Sequence, residues 1–590
     1  MSINSAAYIA ISGMLATQVQ MEVASANISN ADTVGYTDKT AQQVAVVSGG
    51  AGAGTAISDI SSTVDKALLS SLVGSNSGLG AANISNNYLD QLQSLFGSVS
   101  GSDGSGTSLG NTLASLESAV SSLAGSPGSA SLQANAVGAL NDALSQLNET
   151  SSGIQTLRNN ANQDIATSVN DVNTQLQLIG NLNVQIQQAT ATNQPTGDLQ
   201  DQRNTALEDV ASQMDVSYFT TSSGSLQVYT SSGQALVDSS VHQLSYTPAA
   251  NVSASTSYSA TPPSGFSGIM LNGMDITSQI QSGNIGALVT LRDTTLPNTQ
   301  SQLDQLADQL KDSVNAVSNQ GASVPPPASL TGTAAVTAAT PLSASGTARI
   351  AVTDQSGNLV SYQDLNLSNY ATVGDLVTAM NGISGVSASI NSSGNVVIAS
   401  TNTSNGIAIN EMSSSVGANG QGLSDWLGLN DLVTGTGASD IAVRGDILNN
   451  PSLLQTSTLD ASASPAVGSQ VLSAGSATVA NNLYDTLTGS TTFSDVGGLG
   501  SASTSFADYA ANIVGGVAAN ASQASSDYTN KQTAQSYFSD TMSSESGVNL
   551  DQETARLSSL QNQYTASAEL IQVLNQMFSS LMTAIQTATA

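Results

Sequence analysis

The last stretch of the chain sets the strongest limit on its fold. Leu550, Leu557, Leu560, Tyr564, Ser567, Ile571, Leu574, Phe578, Leu581 and Ile585 fall on the a and d positions of one uninterrupted heptad frame, diluted only by Glu553 and the small Ser567. Apolar a and d positions sustained over about five heptads predict a coiled-coil seam rather than the broader face of a surface helix. Such a helix spans about 55 Å at 1.5 Å per residue, and its seam needs a partner stripe. The other terminal amphipathic segment offers one. Ala7, Ile11, Met14, Gln18, Met21, Ser25 and Ile28 recur at spacings of four and three, and Leu15 and Val19 widen the stripe. Both ends are therefore expected to meet in one rod, the chain returning to the place it left.

The N-terminal helix should stop between Asn27 and Tyr36, where Asn30, Asp32 and Gly35 favour turns and left-handed backbone. A long helical stretch from Leu132 to Thr190 follows, with Leu140, Leu147, Ile154, Ile165, Val172 and Ile179 in period and no proline. Another, Leu296 to Val317, opens with Pro297 near its first turn, where a missing N–H costs nothing. Period-two segments from Val216, Leu226 and Ala235, separated by Ser-Ser-Gly turns, predict a small meander, and Asn272-Gly273 a hairpin. After Pro325-Pro326-Pro327 the pattern reads strand, turn at Gln355 to Gly357, strand, a short helix Val373 to Met380 and a hairpin at Ser393-Gly394. Helical pattern resumes beyond Arg444, and Gly97 to Gly110 and Gly489 to Thr504 read as loops. The expected fold is mainly α with β insertions. Residues 1–60 with 541–590 form a terminal coiled-coil domain, and 61–324 with 441–540 a helical middle domain with β elements near 215–290. Residues 325–440 form an inserted α+β outer domain.

Composition narrows the function. A chain of 590 residues exceeds one core, and 39% hydrophobic but only 4% aromatic residues favour thin helical layers packed with Ala, Val, Leu and Ile. Ten basic against 41 acidic side chains give a net charge of −31, which repels nucleic acid and anionic lipid. With no cysteine there is no disulfide or thiolate metal site. Met1 to Gln20 has no basic, apolar signal pattern and no 18-residue apolar run predicts a membrane span, so export would use another route. His242, the one histidine, stands near no paired carboxylates, and no cofactor, metal or nucleophile constellation is evident.

Several motifs carry a resemblance. Ile11-Ser12-Gly13-Met14-Leu15-Ala16, Asn27-Ile28-Ser29-Asn30 and Val34-Gly35-Tyr36-Thr37 resemble the N-terminal signature of flagellar rod, hook and hook-associated proteins. Ser546-Gly547-Val548-Asn549-Leu550-Asp551-Gln552-Glu553, then Gln563-Tyr564-Thr565-Ala566-Ser567-Ala568, resemble the C-terminal signature of the hook-associated protein 1 family. Asp198-Leu199-Gln200-Asp201-Gln202-Arg203 and Arg292-Asp293-Thr294-Thr295-Leu296-Pro297 resemble that family's interior motifs, with Ser318 where relatives usually place His.

The resemblance implies a non-enzymatic extracellular subunit at the hook–filament junction, self-associating as a ring. Its implied partners are the hook protein below, the next hook-associated protein above, a cytoplasmic chaperone on the C-terminal helix and the type III export apparatus. The seam residues and Ile11, Met14, Leu15, Gln18, Met21, Asn27, Asn30, Gly35 and Tyr36 are then the candidate assembly surface. Asp201, Arg203, Arg292 and Asp293 are expected as structural salt bridges, with Gln202 and Pro297 in the same motifs. Alternatives are a hook protein or flagellin, a glycan-binding module in the insertion, or a hydrolase carried on an axial scaffold.

Overall fold

The computed structural model describes residues 3–62, 64–97 and 108–589. Helix α1 (Ile3–Asn30) is followed by a two-stranded antiparallel hairpin, β1 (Lys39–Ser48) and β2 (Ala51–Ser62), so the terminal region expected to be helical is partly β. Gly49 and Gly50 turn the hairpin with positive φ, a conformation that Cβ-bearing residues resist. Helices α2 (Lys66–Leu95), α3 (Leu109–Gly125), α4 (Ala130–Ala191) and α5 (Gly197–Gln213) come next. Most of the loop expected at Gly97 to Gly110 lies outside the described residues.

Helix α4 runs 62 residues, about 90 Å. Its periodic face, from Leu140 through Ile154, Ile165, Val172 and Ile179 to Ile186, is buried along the whole length, each side chain contributing roughly 1.5–3 kcal/mol. Asparagines on the same helix, Asn183 buried and Asn173 half-buried, hold the meander β3 (Val216–Thr220), β4 (Leu226–Thr230) and β5 (Ala235–Val237) and the chain after it. Asn183 donates to the Leu226 carbonyl at 2.8 Å and accepts its N–H at 2.9 Å, and Asn173 treats Leu244 in the same way at 2.8 Å each. An amide side chain thus does for a loop what a neighbouring strand does in a sheet.

Leu296 does not open a helix. Helix α6 (Gly283–Thr290) continues through a π turn at Leu291–Thr295 into α7 (Leu296–Ser318), and the Leu296 N–H bonds the Leu291 carbonyl. Pro297 follows that widened turn, so its missing N–H is absorbed inside a continuous helix. Fully buried Arg292 lies in the π turn, bidentate to Asp293 at 2.6 and 2.7 Å and over the Phe266 ring at 4.7 Å.

Beyond α7 a second core forms around Leu330, Ile350, Leu376, Ile398, Ile409 and Leu427. It is built from two three-stranded antiparallel sheets. One is centred on Thr347–Asp354 between Leu359–Asn366 and Asn405–Asn410, the other on Asn395–Ser400 between Val386–Ile390 and Ser329–Ala335. Helix α8 (Val373–Met380) packs on this core and starts from a Thr372/Asp375 capping box. Ser318 ties the unit to α7, its one hydroxyl proton lying between two acceptors, the Asn430 carbonyl at 2.6 Å and Gln455 Oε1 at 2.8 Å.

Beyond Arg444 the helical expectation fails at first. After α9 (Leu423–Leu427), which precedes it, come the short α10 (Gly445–Asn449) and a 3-10 turn at Pro451–Leu453, and residues 454–477 cross the sheet as an irregular strap before α11 (Thr478–Thr488). Arg349 pins the strap, donating to the Asp460 and Ser462 carbonyls at 2.8 and 2.9 Å while its other edge pairs with Asp364. The loop expected at Gly489 to Thr504 contains a small hairpin, Thr491–Phe493 with Ala502–Thr504. Phe493 anchors it by stacking on Tyr509 with ring centroids 3.8 Å apart.

Helix α12 (Phe506–Ser546) runs unbroken past residue 541, and the chain breaks instead at Gly547 to Asn549 before α13 (Leu550–Thr589). Asn549 caps α13, accepting the N–H groups of Asp551 and Gln552. Helix α13 packs along α1, which in turn carries the β1–β2 hairpin.

Candidate functional site: the junction of the two chain ends

The site grows from the last turn of α1. Asn27 is fully buried there, and its NH2 faces three acceptors: the Asp38 carboxylate, the Lys39 carbonyl at 2.9 Å and Glu553 Oε2 at 3.3 Å. Its carbonyl oxygen accepts the Lys39 N–H at 3.1 Å and the Tyr36 hydroxyl at 3.0 Å. The Asp201 carboxylate on α5 accepts the Thr37 N–H at 2.9 Å and hydroxyl at 2.7 Å, and pairs with the buried Lys39 ammonium. Asp198 lies 3.3 Å from the same ammonium, which sits 3.6 Å over the Tyr36 ring. The Asp38 N–H donates to the Ser546 carbonyl at 2.8 Å, and Arg556 approaches Glu553 at 3.4 Å.

Three motifs far apart in sequence, around residues 35–37, 198–203 and 546–553, thus close on one another. Gly35 is required twice over: its φ is +78°, and a Cβ there would lie 2.5 Å from Thr205 Oγ1 on α5. Asn30 bonds back to the Ala26 carbonyl at 2.9 Å and accepts from Thr33. Exposed Gln202 lines a cleft of about 270 Å³ with Asn30, Val34, Gly35, Tyr36 and Thr205.

Electrostatics at the junction follow from burial and from an excess of carboxylates. Burial pushes the Tyr36 hydroxyl up to about 12, with Asp198, Asp201, Asp38 and Glu553 adding to the rise. Burial raises the Asp38 carboxyl above its ordinary range, Glu553 reinforcing the shift and Arg556 and Lys39 opposing it.

Glu553, Asp38, Lys39 and Asp198 were not singled out from sequence as site residues. Glu553 reads as a flaw in an apolar seam, yet a carboxylate at a seam position in a chain with only 9% charged residues was itself the signal. The remaining motif residues stand elsewhere: Arg292 and Asp293 belong to the π turn, and Pro297 to the first turn of α7 after it. Arg203 is no salt bridge. Among the described residues it has no carboxylate partner, and it donates to Asn183 Oδ1 at 2.9 Å and the Gly224 carbonyl at 2.7 Å. Burial lowers its guanidinium to about 10.

Along the rod, Asn27 near the end of α1 meets Glu553 near the start of α13, so the helices run antiparallel and the longer α13 overhangs by about three turns. The face that α1 buries is Ala10, Ala16, Thr17, Val23, Ala24 and Asn27. That arc is rotated about a third of a turn from the stripe Ile11, Met14, Gln18 and Met21. Small side chains let α13 and the hairpin approach the α1 backbone, as where Gly54 passes over Ser12, and the larger apolar groups turn outward. Ile11, Leu15 and Gln18 are exposed, and Met14 and Met21 half-buried.

On α13 the seam side faces α1, but unevenly. Leu560 is buried, Leu557, Ile571 and Leu574 are half-buried, and Leu550 and Tyr564 are more open. Phe578, Leu581 and Ile585 are 46, 47 and 50% exposed. Among the described residues no cluster of metal-ligating side chains forms, and no helix is long and apolar enough to cross a membrane. His242 pairs with Asp238 at 3.1 Å.

Comparison with known proteins places these segments. Residues 89–328 match the model of the flagellar hook-associated protein FlgK helical domain, residues 8–37 that of the flagella basal body rod protein, and residues 540–584 that of the flagellar basal body rod FlgEFG protein C-terminal region. In structure the chain is similar to the flagellar hook junction protein FlgK from Burkholderia pseudomallei. The two share 15% identity over 80% of this chain and 99% of that one, with a TM-score of 0.49. No curated protein matches in sequence.

Proposed function

With a helical domain of the flagellar hook-associated FlgK type between two ends of the flagellar rod type, we propose that this chain is a structural subunit joining hook to filament. It works by helix-to-helix assembly and catalyses nothing. The observation that carries the reading is the apolar surface left open on paired terminal helices: Phe578, Leu581, Met582 and Ile585 on the α13 overhang, and Tyr8, Ile11 and Leu15 on α1. A surface of this kind on an otherwise polar molecule marks an interaction site, and its cost in water is relieved when copies pack side by side.

In this proposal residues 1–60 with 541–590 form the inner layer, 61–324 with 441–540 the middle layer and 325–440 the outer domain. Copies close into a ring that meets the hook protein below and the next hook-associated protein above. The subunit reaches this extracellular place unfolded through the type III export apparatus, after a cytoplasmic chaperone has held the C-terminal helix. The paired ends then settle as a coiled-coil rod.

The test is a strain carrying Phe578→Ser, Leu581→Ser and Ile585→Ser together. These side chains are half-exposed in the single chain, so its helix content should hold. The expected result is bare hooks in electron micrographs, with flagellin and the variant itself in the medium. Normal filaments on those hooks would overturn the reading, and retention of the variant inside the cell would place the defect in export instead.

A further inference from the structure

The junction holds more acceptors than donors. Asn27 offers two N–H bonds to three oxygens, and two of those oxygens belong to carboxylates on different elements: Asp38 ahead of β1, and Glu553 on α13. Every other group facing the pair has a prior engagement. Lys39 turns its ammonium to Asp201 and Asp198, the Tyr36 hydroxyl donates to the Asn27 carbonyl, and Arg556 reaches only the second oxygen of Glu553, at 3.4 Å. The charges around Asn27 are thus Asp38, Glu553, Asp198 and Asp201 against Lys39 and Arg556, and the surplus is negative.

This is where α13 is fastened. Its buried side chains are Glu553 and Leu560, and beyond Leu560 every described residue is half-buried or exposed. The helix before it ends at Ser546, and residues 547–549 separate the two, so α13 is not held in line by a continuous helix.

We propose that Asn27, Asp38 and Glu553 form a proton-dependent clasp that sets how firmly α13 is docked on α1. A proton on Asp38 turns an acceptor into a donor, relieves the repulsion between the Asp38 and Glu553 charges and leaves the two N–H groups of Asn27 to the remaining oxygens. The sign follows from Asp38, whose carboxyl is raised in the folded chain. The protonated clasp is the tight one, so docking strength is full below the ordinary carboxylate range and is lost as pH rises through the folded value. The clasp acts within one chain, so it regulates the assembly surface proposed above without depending on which structure that surface builds.

The chain has no cysteine, so two can be introduced without background. Spin labels at Gln18→Cys and Asn562→Cys, both exposed, report the α1–α13 distance in the full-length monomer by pulsed electron resonance. As pH falls from about 7 to about 4, across the top of the carboxylate range, the short-distance population should grow at the expense of a broad one. Asp38→Asn and, separately, Glu553→Gln should each give a docked population that no longer responds to pH. A distance distribution independent of pH in the unsubstituted clasp overturns the proposal, as does an unchanged pH response in both variants. Should one variant fail to fold, the other decides.

Discussion

Asp201→Ala removes the partner that α5 supplies to the segment after α1, and its cost can be worked from the contacts. The carboxylate takes two hydrogen bonds from Thr37 and the charge of Lys39, and both charged groups are buried. Breaking a buried ion pair by removing one partner costs about 3–5 kcal/mol, because the other charge stays behind. Asp198 remains 3.3 Å from the Lys39 ammonium, but it is largely in water and compensates weakly, which places the expected loss near the lower end, about 3 kcal/mol. In a chain with more than one core the loss should appear as local opening rather than as one global transition. Hydrogen exchange across residues 37–48 should therefore quicken roughly 100-fold, at 1.4 kcal/mol for each factor of ten. Peptides from the 330–430 core should not change. Asp201→Asn keeps acceptors for Thr37 while losing the charge, and should fall between. If Asp201→Ala left exchange of residues 37–48 at the native rate, the junction would not be held by this pair and the reasoning from burial would be refuted.

Gly35→Ala should destabilise the same segment by about 1–3 kcal/mol through backbone strain and the clash with Thr205. Adding Thr205→Ala should return only the steric share in the same exchange measurement. Arg292→Lys keeps the charge but cannot reproduce the bidentate pair with Asp293 while lying over Phe266, so limited proteolysis should find the 250–268 loop opened. Burial raises the Glu411 carboxyl to about 7, so the fold around it favours the protonated form and should lose stability as pH rises through that value. Trp426, the one tryptophan, reports from the same unit, and its unfolding midpoint in urea should fall between about pH 6 and about pH 8, a fall that Glu411→Gln abolishes.

The periodic parts of this chain were written in its residues. Helix α4 needs only its uninterrupted apolar stripe, and the 330–430 unit follows from alternation and Gly-bearing turns, because those signals repeat locally and each turn is specified by its own few residues. The strap at 454–477 carried no such signal. It lies where it does because Leu459, Val471 and Leu472 pack on the sheet beside Ala351, Leu359 and Ala408, and because Arg349, more than a hundred residues earlier, donates to its Asp460 and Ser462 carbonyls.

The same division runs through the site. The heptad frame of α13 marked the side that turns to α1, and Gly35 marked a turn. That α1 buries its alanines and turns Ile11 and Leu15 outward was not readable, since a helix shows its apolar residues in sequence but not the neighbour that claims one face. Glu553 looked like a defect in the seam for the same reason. The sequence alone determined the long periodic helices, such as α4 and α13, and which residue types their faces can bury. The tertiary structure decided which face meets which, because a buried carboxylate acquires its meaning only from the donors that distant segments bring to it.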